Sequence, residues 1–343
     1  LARQRYEYKY KLAAIVSFLS ALFASVISVM AVVWGNSAGA PNLGEIRLYA
    51  NYSVILSVAC VIWISIYAKG KTIYNAKYWK FSLSLSIPLI GNSFASQILS
   101  VSDRTMIGKM VDNSAVGIYG TLYTVSSLSL IVWQAINASF VPFLFENIDK
   151  PEREHDIKKI SSQLLTAFAV VAFVLTIMAP EIVLVLATKE YYNAIYIMPP
   201  ICAGIFLISL SNMNTNVLIY HKKTKFIMIS SCVAATVNVI LNYFGIKMFG
   251  YMAAAYTTLI AYMILALMQG VVSTRVHRKI VGDEKATVYD MKYIYMLAVV
   301  TIVLCTSCIL LYQHTILRYC IIAVLIVLAV VFRNKILMLF KKK

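Results

Sequence analysis

Residues 81–104, FSLSLSIPLIGNSFASQILSVSDR, carry no charge between Lys80 and Asp103. A charged side chain at the centre of a bilayer costs roughly 2.5 to 3.5 kcal/mol on insertion scales, so charge-free runs mark what a membrane can hold. This run is 22 residues long. A hydrocarbon core about 30 Å thick needs roughly 20 residues of helix to cross it. Applied outward in both directions, the same criterion predicts ten spans, at 12–34, 48–68, 81–102, 115–140, 160–180, 194–219, 226–246, 249–272, 293–312 and 318–338.

Composition agrees. Of 343 residues, 61% are hydrophobic and 13% charged, whereas a soluble domain carries roughly a quarter charged residues. The net charge of +17 would elsewhere suggest nucleic acid, but here the charges sit between apolar runs, and no nucleic-acid partner is expected. The flanks and loops 1–11, 69–80, 146–163, 220–225, 273–292 and 333–343 hold 25 of the 31 Lys and Arg, and the alternate set holds only Arg47, Arg104, Lys109, Lys189, Lys247 and Arg318. Cytoplasmic loops carry the basic excess, so both ends of the chain are expected to be cytoplasmic.

The loops are too short to hold an extramembrane catalytic domain. No GxxxxGK[ST] phosphate loop and no HExxH metal motif occurs, and each would be needed for its chemistry. The chain is therefore expected to be no enzyme, with no catalytic residues, no cofactor and no metal. Cys305 and Cys308 form a CxxC, but inside an apolar run, where thiols behave as small buried hydrophobes.

Polar groups at membrane depth are the candidate functional residues, because they are expensive unless they face a bundle interior or a wet cavity. In the third span Pro88 is expected to break or bend the helix, with Asn92, Ser96 and Gln97 following. Asn92 and Ser96 lie four apart and share a face, which suits either a cavity wall or helix packing through small polar groups. The span closes on Asp103 and Arg104, which read either as interfacial anchors or with one of them projecting into the outer mouth of a central cavity to hold an anionic headgroup or take part in ion coupling. Gln134 and Asn137 extend the polar set in the fourth span. Asn238 and Asn242, four apart in the seventh, read more readily as interhelical packing. His155, His221 and His277 fall in basic loops and none reads as a buried relay. The segment PEREHDIKKISSQ, residues 151–163, reads as an amphipathic surface segment or a solvated connector.

Several segments in order, RYEYKYKLAAIVSFLSAL, KYWKFSLSLSIPLIGNSFASQILSVSDRTMIGKMVDNSAVGIYGTLYTV, INASFVPFLFE, APEIVLVLATKEYYNAIYIMPP and YHKKTKFIMISSCVAATVNVILNYFGIKMFGYMAAAY, resemble the polysaccharide flippases of the multidrug/oligosaccharidyl-lipid/polysaccharide exporter superfamily, the Wzx-type O-antigen and capsule repeat-unit translocases. The second is the most specific, with Pro88, Asp103, Arg104, Gly108, Gly117 and Tyr119 at family-like spacing. The resemblance implies an all-α polytopic, MATE-like bundle of two lobes, with ten of an expected fourteen helices present and the first lobe incomplete at its amino terminus. Residues 1–68 would be the last two helices of the first lobe, 69–80 an inter-lobe linker, 81–272 the second lobe, and 273–343 two further helices with a basic tail.

The implied activity is translocation of undecaprenyl-diphosphate-linked oligosaccharide across the bacterial inner membrane by alternating access. The implied partners are the lipid-linked oligosaccharide, the bilayer, H+ or Na+ as coupling ion, and the polymerase and chain-length proteins of the same pathway. Asp103 and Arg104 would lie at the cavity mouth, with Asn92, Gln97, Gln134 and Asn137 on its walls. A cation-coupled multidrug exporter, a lipid II flippase and, in another class, a polysaccharide polymerase or ligase are the alternatives.

Overall fold

A computed structural model of the chain describes residues 10–70, 74–186 and 189–331. Among the described residues there are twelve α-helices, two short 3-10 segments and no strand. In chain order they are α1 (Tyr10–Ser37), α2 (Leu43–Gly70), α3 (Ala76–Met110), α4 (Asn113–Ser127), α5 (Ser129–Asn147), α6 (Glu154–Ile177), α7 (Ala179–Leu186), α8 (Met198–Tyr220), α9 (Thr224–Phe249), α10 (Ala253–Val281), α11 (Met291–Leu311) and α12 (Thr315–Val331). The chain is an all-α, multi-pass membrane protein, as backbone chemistry requires when lipid offers no hydrogen bonds.

Eight stretches among the described residues are helical, long and apolar enough to cross a bilayer: Ala14–Ser37, Leu43–Ala68, Asn113–Asn147, Pro151–Ile177, Tyr191–Tyr220, Thr224–Phe249, Ala253–Val281 and Met291–Leu311. Two expected spans differ. The third forms α3, but its serines and charges dilute its apolar character and it is not one of the eight. The tenth has an apolar helical stretch only at Thr315–Leu325, and the expected span runs on into residues 332–338, outside the described residues.

The break expected at Pro88 does not occur. Helix α3 runs 35 residues straight through it. One proline removes one N–H from the ladder, while abandoning the helix inside a membrane would orphan several more groups. Residues 151–163 are likewise no separate surface segment: Pro151–Arg153 is a 3-10 turn leading directly into α6.

The chain divides into two compact units, residues 1–81 and 82–343. In the first, α1 and α2 form a hairpin closed by Gly39 at φ 70°. Small residues let the helices approach: Ala24 and Ser28 are buried, Ser28 Oγ donates to the Arg47 carbonyl at 3.3 Å, and a Cβ on Gly35 would lie 2.7 Å from Ile46 Cδ1.

The second unit is organised around α8. This helix is buried on nearly every side, with Cys202, Ala203, Gly204, Ser209 and Ser211 keeping it narrow, as befits a central helix. It packs against α4, α5, α6, α10 and α11. The closest approach is to α10, where a Cβ on Gly204 would stand 2.9 Å from Tyr262 Cδ2. Helices α9 and α10 form a second hairpin, turned by Gly250 at φ 76°. Asp112 caps α4 by accepting from the Ala115 N–H at 2.7 Å, and Asp290 caps α11 through the Tyr293 N–H at 3.1 Å, each satisfying a helix-end donor.

Candidate functional site: a buried carboxylate

Helix α3 faces its neighbours with Ala95, Leu99, Asp103 and Ile107, a stripe at four-residue spacing. Asp103 is the polar member of that stripe, and it is 1% exposed. Three neutral donors converge on it. Tyr119 Oη, from α4, donates to Oδ2 at 2.6 Å. Thr258 Oγ1, from α10, donates to the same oxygen at 2.8 Å. Asn242 Nδ2, from α9, donates to Oδ1 at 2.6 Å.

A second tier holds these donors in place. Asn238 Nδ2 donates to Thr258 Oγ1 at 3.0 Å, and Asn238 Oδ1 accepts from Ser102 Oγ at 2.7 Å and from Asn242 Nδ2 at 3.3 Å. Thr257 Oγ1 donates to Asn242 Oδ1. Four helices thus meet on one carboxylate. Among the described residues Asp103 has no ion pair. Hydrogen bonds to a charged acceptor are each worth about 1.5–3 kcal/mol, and three of them are what compensates its removal from water.

Asp103 therefore lies buried inside the second unit. Arg104, its sequence neighbour, points elsewhere. Its guanidinium carbon lies 5.0 Å from the centroid of the Tyr123 ring, and its Nε is buried without a hydrogen-bond partner. The two face different neighbours because consecutive helical positions lie about 100° apart.

The other expected residues scatter. Asn92 accepts from Ser231 Oγ at 2.5 Å and Asn137 accepts from Asn216 Nδ2 at 2.8 Å, so both join helices, α3 to α9 and α5 to α8. Gln97 and Gln134 are exposed. Tyr119, Thr257 and Thr258 did not emerge as site residues from the sequence, and Asn238 and Asn242 read as packing. The four-residue register linking Ala95, Leu99 and Ile107 to Asp103 was the signal that marks this carboxylate as inward.

A second polar cluster lies at the opposite end of α8 and α10. His221, just beyond α8, has Nε2 at 3.1 Å from Nδ1 of His277 in α10, and His277 is 6% exposed. It is no loop residue, because α10 continues through the basic stretch to Val281. Tyr220 Oη donates to Asp149 Oδ2 beside this pair. Burial, reinforced by the charge of His277, holds the His221 imidazole below its ordinary value, with Asp149 opposing.

At the other side of the bundle Arg318 of α12 pairs with Glu181 of α7 at 2.6 Å and donates to the Ile177 carbonyl at 3.3 Å. Tyr312 Oη, donating to the Thr176 carbonyl at 2.9 Å, adds a second tie. Cys305 and Cys308 are buried, and Cys308 Sγ donates to the Leu304 carbonyl.

With this geometry in view, the described helices can be set beside known proteins. Residues 8–148 match the family described as polysaccharide biosynthesis protein. No curated protein matches. Among solved structures, the lipid II flippase MurJ in an inward closed conformation shares the fold, with TM-score 0.54 and 17% identity over 92% of this chain and 68% of that one. The polysaccharide biosynthesis match and the shared fold together bear out the resemblance to flippases of the exporter superfamily. Asp103 and Tyr119 both fall inside the matched residues, whereas Asn238, Asn242, Thr257 and Thr258 lie beyond them.

Proposed function

We propose that this chain belongs to a machine that flips a lipid-linked substrate, an undecaprenyl-diphosphate-linked oligosaccharide, across a bacterial inner membrane. The family match and the fold shared with a lipid II flippase support lipid-linked flipping, and the polysaccharide description favours an oligosaccharide over lipid II as cargo. A polar sugar-diphosphate would be shielded inside the protein while its lipid tail stays in the bilayer, and opposed rocking of helix groups would exchange access. Gln97 and Gln134, exposed on α3 and α5, would face that polar path, and the Arg104 guanidinium would stand near its mouth.

The observation that carries the mechanism is Asp103 with its three donors. A carboxylate at membrane depth is a functional group by default, and beside its own two oxygens this one has the hydroxyl oxygens of Tyr119 and Thr258 within hydrogen-bond distance. Hard oxygen donors suit H+ or Na+ rather than a soft metal. Taking up either ion cancels the buried charge and alters the hydrogen bonds that join α3, α4, α9 and α10, so ion occupancy and helix arrangement are coupled.

The test uses a strain deleted for the full-length gene, with labelled lipid-linked oligosaccharide followed across the membrane. Build-up on the cytoplasmic face, relieved by the intact gene but not by Asp103→Asn at equal protein level, is the expected result. Normal outward delivery of unpolymerised units in the deletion strain would overturn the flippase reading and favour a polymerase.

A further inference from the structure

Helix α10 leaves its membrane-spanning stretch with Arg275, Arg278 and Lys279 in its last two turns. Spacings of three and four residues put all three on one face. There, with Gly282 and Glu284, they line an open groove of about 480 Å³. The far wall is built. Gly282 takes the left-handed conformation that ends α10, Arg278 Nε donates to the Ala286 carbonyl at 3.2 Å, and the Lys285 N–H is held by Asp283 Oδ1 at 2.8 Å. Arg278 is thus the structural cation that holds the loop. Arg275 and Lys279 are exposed, and neither has a hydrogen bond or ion pair among the described residues.

We infer that this groove binds the phosphate of an anionic headgroup at the membrane surface, with Arg275 and Lys279 as its ligands. The loop from Gly282 to Asp290 is too short to carry the groove away from the bilayer, since α11 begins again at Met291. Basic clusters at the membrane-surface end of a spanning helix attract anionic lipid headgroups. A guanidinium offers a planar fork to two phosphate oxygens, and an ammonium adds a point charge. Orientation by positive charge alone needs only basic residues near a span end; it does not need them gathered in one recess with a tethered wall. The site is separate from the Asp103 network and stands whatever cargo the protein moves.

The test is retention of lipid by the purified full chain, read by native mass spectrometry. The probes are phosphatidylglycerol, neutral phosphatidylcholine and inorganic phosphate. Arg275→Gln/Lys279→Gln, checked for unchanged melting temperature, should lose a phosphatidylglycerol molecule that the wild type keeps in preference to phosphatidylcholine. The charge-matched pair Lys223→Gln/Lys225→Gln should keep it. If millimolar inorganic phosphate displaces the retained lipid, the groove reads the free anion as well; if it does not, the site is one for a lipid headgroup. Equal retention by the groove variant and the wild type, or equal loss in the control pair, overturns the inference. Arg275→Glu/Lys279→Glu gives a second reading, since charge reversal should abolish retention without touching the Arg278 tether.

Discussion

Asn242 Nδ2 reaches Asp103 Oδ1 at 2.6 Å across the packing of α9 on α3, so that the amide four residues beyond Asn238 and the carboxylate four residues beyond Leu99 complete each other's hydrogen bonding. Neither group has water to fall back on, and the consequences of removing either can be stated.

Asp103→Ala orphans the donors of Tyr119, Asn242 and Thr258 at once. A buried donor without a partner costs about 1–3 kcal/mol, so the alanine variant should melt well below the wild type in detergent. Asp103→Asn, which keeps an acceptor oxygen, should fall between them. Thermal unfolding followed by size exclusion ranks the three, and an alanine variant as stable as wild type would contradict the network.

Sequence patterning gave away the spans because lipid penalises charge so heavily that eight apolar stretches announce themselves. It did not reveal how deeply Asp103 is buried, for a physical reason: an apolar run can end while its helix continues. Asp103 and Arg104 close the run, but α3 goes on to Met110, and a further turn of helix allows a charge at a run's end to be buried by helices arriving from elsewhere. Thr257 and Thr258 carried no signal of their own, and Tyr119 stood out only through the family-like spacing. Their roles depend on partners 15 to 155 residues away in sequence, which no local pattern encodes. His277 was lost in the same way as Asp103, its basic neighbours suggesting a loop where the helix persists.

The His221–His277 contact should weaken in acid. Burial holds the His221 pKa below its ordinary value of 6.5, so the folded protein binds fewer protons there than the unfolded chain. This contribution is intact above about pH 6.5 and is lost as pH falls toward the lowered folded value. Once both rings are protonated, neither can accept the shared hydrogen bond. Lys223 adds to this repulsion and Asp149 opposes it. Melting temperature should drop from pH 8 to pH 5.5, and His277→Gln should flatten that dependence.

Arg318→Ala should loosen α12. Removing one partner of a buried ion pair costs about 3–5 kcal/mol, and Glu181 would lose the guanidinium at 2.6 Å. Limited proteolysis should then cut near Thr315, and Arg318→Met/Glu181→Leu should restore much of the protection. Unchanged cleavage in the alanine variant would show that the Tyr312 tie holds α12 alone.

Gly204→Ala places a methyl 2.9 Å from Tyr262 Cδ2. A ring wedged between helices cannot step aside as a flexible chain end would, and overpacking of this kind costs about 1–3 kcal/mol. The variant should melt lower, and Gly204→Ala/Tyr262→Leu should recover part of the loss, whereas additive losses in the double variant would place the strain elsewhere.

The unbroken passage of α3 through Pro88 has a geometric corollary. From Ser82 to Asp103 the helix rises about 31 Å, so the four-helix knot around the carboxylate grips one end of a stiff rod. A tilt of about 10° at that grip would sweep the Ser82 turn sideways by about 5 Å. A small rearrangement around one proton-sized charge would thus reach the far end of α3 magnified, the way a short handle moves a long oar.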